Sequence, residues 1–495
     1  MNKKNFSISK WFDENKLYLL AFILPVISML FVYYFKDVYP FGDQMYLRSD
    51  CYHQYAPYLD ILKEKLSSGG SLLYTWEIGG GMNFVALAAY YLASPFNLLV
   101  LFLPGTISDA VSFFIIAKMG LAGFSAAYYL SKRFGNKDLS VVIFSMLYAL
   151  SAYFAAFSWN IMWLDCMFLL PFIMLGLERL VNEGKCKMYC ISLALTIFSN
   201  YYIAIMICIF CVLYYIALIY SDSAKKNLKY YITKCKNFAI YSLLAGGFAA
   251  ITVLPAYYAL SSTASGDFEF PKTIITYFSI LDMLSRSLIN VDVAVFSAHD
   301  PNLYCTVAVF LLVPLYAINP KIKLKEKIAK ISLLAFMLVS FNTNVLNYIW
   351  HGFHYPNSLP CRQSYIYIFL VLFVCYRAYM YLRETPWKHV TAAFAGAVVF
   401  VLLAQKLVTE DHFHFIVYYV AILFLALYLG AIALYQKGER YYFPALFYAL
   451  AVVSIEAAVN TAVTSVTTTS RTAYTDDNAA VEKLVDTLQP NDTFF

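Results

Sequence analysis

The sequence predicts an all-α, polytopic membrane protein with about 13 transmembrane helices, on three observations. Hydrophobic residues make up 61% of the 495 and charged residues only 13%, with a mean hydropathy of +0.63. A soluble globular chain carries about 25% charged residues, so a soluble domain of ordinary size is excluded. Apolar stretches long enough to span a bilayer recur along nearly the whole chain. Between them lysines and arginines collect in short loops, the pattern that sets membrane orientation. A net charge of +6 spread this way offers no basic patch for a nucleic acid.

The N-terminus carries Lys3, Lys4, Lys10 and Lys16 ahead of LYLLAFILPVISMLFVYYF. No small-residue cleavage site follows, so this run reads as an uncleaved anchor. The predicted crossings are 17–35, 110–130, 140–158, 163–182, 187–200, 202–220 and 238–260, then 301–319, 331–349, 365–383, 389–408, 415–435 and 441–460. With the N-terminus inside, 24 of the 36 basic residues fall in cytoplasmic loops and nine outside.

That balance imposes two conditions. The segment NFVALAAYYLASPFNLLVLFLP, 83–104, must stay on the outer side as a broken or re-entrant element. A full crossing there would place Lys132 and Arg133 outside. The run 188–220 must cross twice, hinged at Asn200, Tyr201 and Tyr202, although each half is short for a span of about 20 residues. The long loops 36–109, 261–300 and 350–364 then share the outer face. The chain divides into a transmembrane domain, 1–460, and an extracytoplasmic tail, 461–495.

The ten cysteines are scattered, mostly in apolar runs. Cys208 and Cys211 form a CxxC inside such a run and read as packing residues. Cys51 and Cys361 lie in polar loops, where they could pair. Polar side chains from distant segments fall on the outer face. Asp43, Asp50, His53, Gln54 and Tyr55 belong to the first loop, with Asn83 beyond them. Asn160 and Asp165 stand in SWNIMWLDCMFLLP, and Asn200 stands at the hinge. His351, His354, Asn357, Arg362 and Gln363 occupy HGFHYPNSLPCRQSY, and Glu456 and Asn460 close the last span. Ionisable groups at membrane depth are costly, so each is a functional candidate.

Plainer roles stand beside these. Asp50 could cap a juxtamembrane helix, Asp165 could satisfy a neighbouring backbone or indole N–H, and Arg362 could snorkel to the interface. The HxxH at 351–354 lacks the cysteine or acidic partners of a zinc site. No Walker loop, dinucleotide fingerprint or GxSxG elbow is present, so nucleotide-driven chemistry has no support. An outward-facing enzyme would need a lipid-carried donor.

The stretch SDCYHQYAPYLDILKEKLSSGGSLLYTWEIGGGMNFVALAAYYLASPFNLLVLFLP resembles the opening of the bacterial YfhO family of membrane proteins. WNIMWLDCMFLLPFIMLGLERLVNEGK, SNYYIAIM, HYPNSLPCRQSYIYIF and EAAVN continue the resemblance in order along the membrane region. It implies a GT-C type glycosyltransferase, using a polyprenyl-phosphate-linked sugar to modify a cell-envelope polymer such as lipoteichoic acid. Similar chains usually continue into an extracytoplasmic domain, so this one is expected to be a short member or a fragment. Asp50 matches the aspartate that GT-C enzymes place in their first outer loop. It would act as catalytic base or hold a divalent cation, magnesium or manganese, on the donor phosphate. Arg362 is expected to bind that phosphate. His354, Gln54, Asn83, Tyr55, Glu456 and Asn160 complete the expected substrate-binding set. The competing readings are a lipid-linked sugar flippase, which would want inverted repeats and midplane polar groups, and a wall-assembly scaffold, which would not need Asp50. No internal repeat is visible.

Overall fold

The computed structural model describes residues 8–222, 227–261, 269–297, 299–356, 358–409, 411–465, 468–485 and 487. Lys3, Lys4 and Asn357 lie outside them. Among the described residues regular structure is almost entirely helical. The first part comprises α1 (Ile8–Phe35), α2 (Ala56–Ser68), α3 (Phe84–Tyr91), α4 (Ile107–Phe134), α5 (Leu139–Ala149), α6 (Ala152–Phe157) and α7 (Ile161–Glu183). Next come α8 (Lys187–Ser199), α9 (Tyr201–Ser221), α10 (Leu228–Phe248), α11 (Ala250–Leu260), α12 (Ile280–Ser285) and α13 (Val309–Ile318). The chain ends with α14 (Leu324–Asn342), α15 (Asn344–Trp350), α16 (Ser364–Tyr379), α17 (Trp387–Leu407), α18 (Ile416–Gln436), α19 (Tyr442–Thr464) and α20 (Arg471–Val485). Two antiparallel ladders of two residues per strand join β1 (Gln44–Met45) to β4 (Thr469–Ser470) and β2 (Tyr74–Thr75) to β3 (Met82–Asn83).

Eight helices among the described residues are long and apolar enough to cross a membrane, and up to ten if each bent pair counts once. The bent pairs are α3 with the 3₁₀ segment Pro95–Leu101, at 106°, and α10 with α11, at 75°. Four other predicted crossings fall on the short helices α8, α13 and α16 and on α14 with α15. A count of 13 therefore goes beyond what length and apolarity support. Helix α16 is apolar for a different reason: it is buried in protein along nearly its whole length.

Contacts sort the loops to two ends of the bundle. At one end the first loop pairs with the segment after α19 through β1 and β4. Asn342 and Asn344 bind the backbone of residues 273–278 there, and Leu359 N–H donates to Val295 O at 2.8 Å. Cys361 lies against His299 O, and neither it nor Cys51 forms a disulfide. At the other end Tyr442 OH donates to Asp138 at 2.6 Å, Arg377 pairs with Glu326 at 3.0 Å, and Lys321 meets Glu384. The loops expected outside thus gather at the first, loop-rich end and those expected inside at the second, lysine-rich end.

Both segments break where the sequence reading expects. Asn200 breaks the run 188–220: its side chain accepts from Ile203 N at 2.8 Å and so caps α9. Gly176 packs on the backbone of Tyr189, while Asn200 O lies beside Cys166. Helix α8 therefore climbs back along α7. Helix α9 then descends, with Ile205 near Gly352 at the loop-rich end and Tyr220 near Lys325 at the other. The segment 83–104 bends at Ser94, and both its flanks stay at the loop-rich end. Asn83 pairs with Tyr74, and Thr106 starts α4 with its N–H on Asp109 at 2.9 Å.

A buried ion pair holds that bend in place. Lys118 Nζ on α4 meets Asp165 Oδ2 on α7 at 2.5 Å, with both side chains almost wholly buried. Ser94 Oγ donates to Asp165 Oδ1 at 2.8 Å, and Lys118 also binds Ile161 O at 3.0 Å. The limited role foreseen for Asp165 is therefore larger, since it fastens three segments.

Two predictions follow from this packing. Cysteines placed at Lys137 and Lys229 should both be labelled from the cytoplasmic face alone; labelling of position 137 from outside would overturn the orientation. Lys118→Met strands a buried carboxylate and should cost about 3–5 kcal/mol, read as a drop in unfolding midpoint in detergent. Adding Asp165→Leu should recover most of the loss, and a double variant as unstable as the single would contradict the pairing.

Candidate active site

The loop around Asp50 is shaped by its backbone. Ser49 holds φ 46°, a left-handed value unusual for serine, and Cys51–Tyr55 form one turn of π-helix before α2. Single π turns recur at functional positions. Asp50 itself has helical dihedrals, φ −60° and ψ −25°, and its side chain makes no capping bond. An N-cap needs extended dihedrals, so the capping role open to Asp50 is not taken. The carboxylate is half-buried, with Tyr55 OH at 3.4 Å from Oδ2. That hydroxyl lies closer to Asn160 Oδ1, at 3.0 Å, and has one proton to give. Asp50 is thus left with spare acceptor capacity.

Aromatic rings wall the space beside it. Tyr55 packs on Tyr91 at 5.4 Å and stacks on Trp159 at 6.1 Å. Tyr91 touches Tyr58 at 5.2 Å and Tyr90 at 4.5 Å, and Tyr90 reaches Tyr201 and Tyr202 at 5.9 and 6.1 Å. Gln54 joins by accepting from Tyr91 OH at 3.3 Å. Burial, then neighbouring Tyr90 and the Asp50 charge, hold the Tyr55 phenol far above its usual range. Tyr55 is therefore a hydrogen-bond donor at every physiological pH. The Asn200 amide donates to Tyr90 O at 3.0 Å and ties the α8–α9 hinge to this wall.

Arg362 stands on the far side of the same tyrosines. Its guanidinium lies over Trp163 at 4.9 Å and Tyr202 at 5.2 Å. Nε donates to Leu359 O at 3.0 Å and Nη2 to Ser358 O at 3.2 Å. Five N–H groups make up the fork, so donors remain for an anion. The loop that presents it is strained: Phe353, Leu359 and Cys361 hold φ of 67°, 57° and 50°. A guanidinium sandwiched between rings is a placed residue, not one snorkelling to the interface. Tyr90 lies within the electrostatic reach of both Asp50 and Arg362. Two segments more than 300 positions apart thus converge on one phenol.

The remaining expected residues divide. Asn160 and Tyr55 belong to the wall. Asn83 is exposed and caps α3, accepting from Ala86 N at 3.1 Å, so its polar atoms serve a helix end. His354 is half-buried in the 350–363 loop, while His351 is fully buried. Glu456 stands apart: it accepts from Thr306 Oγ1 and Val307 N, both at 2.8 Å, and from Tyr428 OH. Its lone pairs are engaged in fastening α19 to α13 and α18. An apolar cavity of about 80 Å³ between α5, α13, α16, α18 and α19 adjoins that network and not Asp50. Among the described residues no three His, Cys, Asp or Glu side chains gather where a metal ion could be held.

Helices of spanning length around a polar, aromatic-lined site at one end define a multi-pass membrane protein. Residues 21–495 match the family described as bacterial membrane protein YfhO, and the chain belongs to that family. Among solved structures it is similar to ArnT from Cupriavidus metallidurans in the apo state, with a TM-score of 0.43 and 13% identity, covering 95% of this chain and 80% of that one. No curated protein matches by sequence.

Burial, and then the Arg362 charge, lower the His351 imidazole from 6.5 to about 3, against the opposing bond to Asn347 O. An unfolded chain takes up that proton near 6.5, so stability is intact above that pH and falls as pH drops towards 3. His351→Gln should flatten this acid-side loss in thermal unfolding scans between pH 7 and 4. An unchanged profile would assign the loss to other groups.

Proposed function

We propose that this protein is a membrane glycosyltransferase. It takes a sugar from a polyprenyl-phosphate-linked donor and gives it to an extracytoplasmic acceptor of the cell envelope, such as lipoteichoic acid. The loop-rich end is then the extracytoplasmic face and the lysine-rich end the cytoplasmic one, in keeping with the basic loops. The observation that carries the reading is the chain of rings that joins the two groups: Tyr55, beside Asp50, packs on Tyr91, Tyr91 on Tyr90, and Tyr90 on Tyr202, over which the Arg362 guanidinium lies. A carboxylate with spare acceptor capacity and an always-charged guanidinium are the two groups this transfer needs. Family membership supports the same chemistry through the resemblance described above.

In this reaction the acceptor hydroxyl gives its proton to Asp50 as its oxygen attacks the anomeric carbon. The bond from that carbon to the phosphate oxygen breaks, and the polyprenyl phosphate leaves with its new charge held by Arg362. The tyrosine wall excludes water from the developing oxocarbenium centre, which hydrolysis would otherwise consume. No step requires a nucleotide. The flippase reading would need no base, and this difference makes the two separable.

Purified protein in liposomes, with lipid-linked donor and acceptor supplied on the extracytoplasmic face, tests the assignment. Asp50→Asn keeps the size and much of the hydrogen bonding but removes the base. It should bind donor as the wild type does and transfer about 10²–10⁴-fold more slowly. Transfer at the wild-type rate would remove Asp50 from the mechanism. A wild type that moves donor between leaflets and transfers none would establish transport instead. Arg362→Ala should weaken donor binding much more than it lowers the unfolding midpoint, and Arg362→Lys should restore binding only in part, because a point charge cannot replace the fork. Unchanged affinity in the alanine variant would release Arg362 from the phosphate.

A further inference from the structure

The arginines at the loop-rich end differ in what holds them. Arg471 pairs with Asp109 at 3.0 Å, and Arg286 spans the carbonyls of Pro301 and Asp292 at 2.7 and 3.1 Å. Arg362 is tied to the carbonyls of Leu359 and Ser358. Arg48 is partly buried, and among the described residues no carboxylate or carbonyl receives its guanidinium. What it has is a ring, Phe296, at 5.2 Å. A guanidinium partly withdrawn from water without an acceptor carries an uncompensated cost, and its N–H edge is open to an anion.

The backbone that carries Arg48 is held in place. Thr469 Oγ1 donates to Leu47 O at 2.7 Å, and Cys51 N–H donates to Arg48 O at 2.8 Å. Asp50, the proposed base, follows in the same loop. The ring under Arg48 belongs to a second loop and leads to a third. Phe296 is 64% exposed and follows Val295, whose carbonyl accepts from Leu359 N–H at 2.8 Å. Leu359 O in turn accepts from Arg362 Nε at 3.0 Å. Two guanidiniums without a carboxylate are thus joined by a short run of contacts, and they differ in setting. Arg362 lies against Trp163 on α7 and Tyr202 on α9, among the helices. Arg48 and the exposed Phe296 both belong to loops.

We infer that Arg48 binds the acceptor, and that the acceptor is an anionic chain of phosphodiester-linked polyol units. This rests on the transferase reading and deepens it, by naming the charge of the acceptor and the residue that reads it. The donor phosphate is carried by a lipid and meets the arginine set among helices. An acceptor arrives from water over the loops, and a hydroxyl that reaches Asp50 brings its neighbouring units to the loop of Arg48. A phosphodiester keeps its negative charge at every physiological pH, and its two free oxygens match the guanidinium fork. A neutral polysaccharide would leave that fork without a counter-charge.

Arg48→Gln and Arg48→Lys would be compared with the wild type in detergent for unfolding midpoint and for affinity. The probes are a synthetic glycerol phosphate hexamer, undecaprenyl phosphate and a short-chain phosphatidylglycerol. For Arg48→Gln the expected result is hexamer affinity lowered about 3- to 30-fold, with partial recovery in Arg48→Lys. Affinity for undecaprenyl phosphate should be unchanged, and the midpoint should move little, since only a contact with an exposed ring is lost. Hexamer binding by the wild type should also weaken more steeply with sodium chloride than binding by the glutamine variant. Unchanged hexamer affinity in Arg48→Gln would overturn the inference. An equal loss for undecaprenyl phosphate at a steady midpoint would overturn it by moving Arg48 to the donor. A lower midpoint with equal losses for every probe would overturn it by making Arg48 a structural residue. Phosphatidylglycerol bound as tightly as the hexamer, and weakened as much in Arg48→Gln, would place a lipid headgroup there instead. A wild type that binds undecaprenyl phosphate but no hexamer would overturn the acceptor assignment alone. A wild type that binds neither would overturn the transferase reading as well.

Discussion

The buried pair of Lys118 and Asp165 is the constraint on which the site depends. Neither side chain could remain alone among apolar helices, since an uncompensated charge there costs several kcal/mol. Together they join α4 to α7, and Asp165 has one oxygen left for Ser94 at the bend of the re-entrant segment. That third contact, with the Asn200 amide on the Tyr90 carbonyl, fixes α3 so that Tyr90 and Tyr91 stand between Asp50 and Arg362. A pair of this kind contributes little net stability against an apolar isostere. What it supplies is a single position for the bend.

The remaining fastenings follow the same logic. Asn200 caps α9 and with its amide grips the Tyr90 carbonyl, so the short hairpin and the re-entrant turn place each other. The segment after α19 returns to the first loop: Arg471 pairs with Asp109 at 3.0 Å, and Thr472 N–H donates to Asp43 at 2.9 Å. Asp43 and Asp50 belong to one loop, so the end of the last long helix steadies the loop that carries the carboxylate. Backbone strain at Ser49 and at Leu359 and Cys361 is retained on both sides of the cleft, where the surrounding contacts hold it.

Much of this was legible in the sequence, and the reasons are physical. The helical hairpin at Asn200 and the bend in segment 83–104 are where charge balance across short loops puts them, a global property that a linear reading can count. Asn83 was expected to bind substrate and instead caps α3, although asparagine ahead of an apolar helical run is a start signal. The partner of Lys118 was readable in principle, since two opposite charges inside apolar helices must find each other. Glu456 was not. Its lone pairs are filled by Thr306 and Val307, 150 and 149 positions away, and nothing local in SIEAAVN announces them. Tyr90 and Tyr91 were passed over because tyrosine is abundant here, 44 of 495 residues, and abundance hides position.

The central claim is that Asp50 and Arg362 face one lipid-carried phosphate across the tyrosine wall. A cryo-EM map of the protein with undecaprenyl phosphate would test it most directly. The account predicts phosphate density on the Arg362 guanidinium, with Asp50 across the Tyr90 ring and the polyprenyl chain leaving towards the membrane. Phosphate density at the lysine-rich end, or beside Glu456 with the Arg362 fork empty, would contradict it.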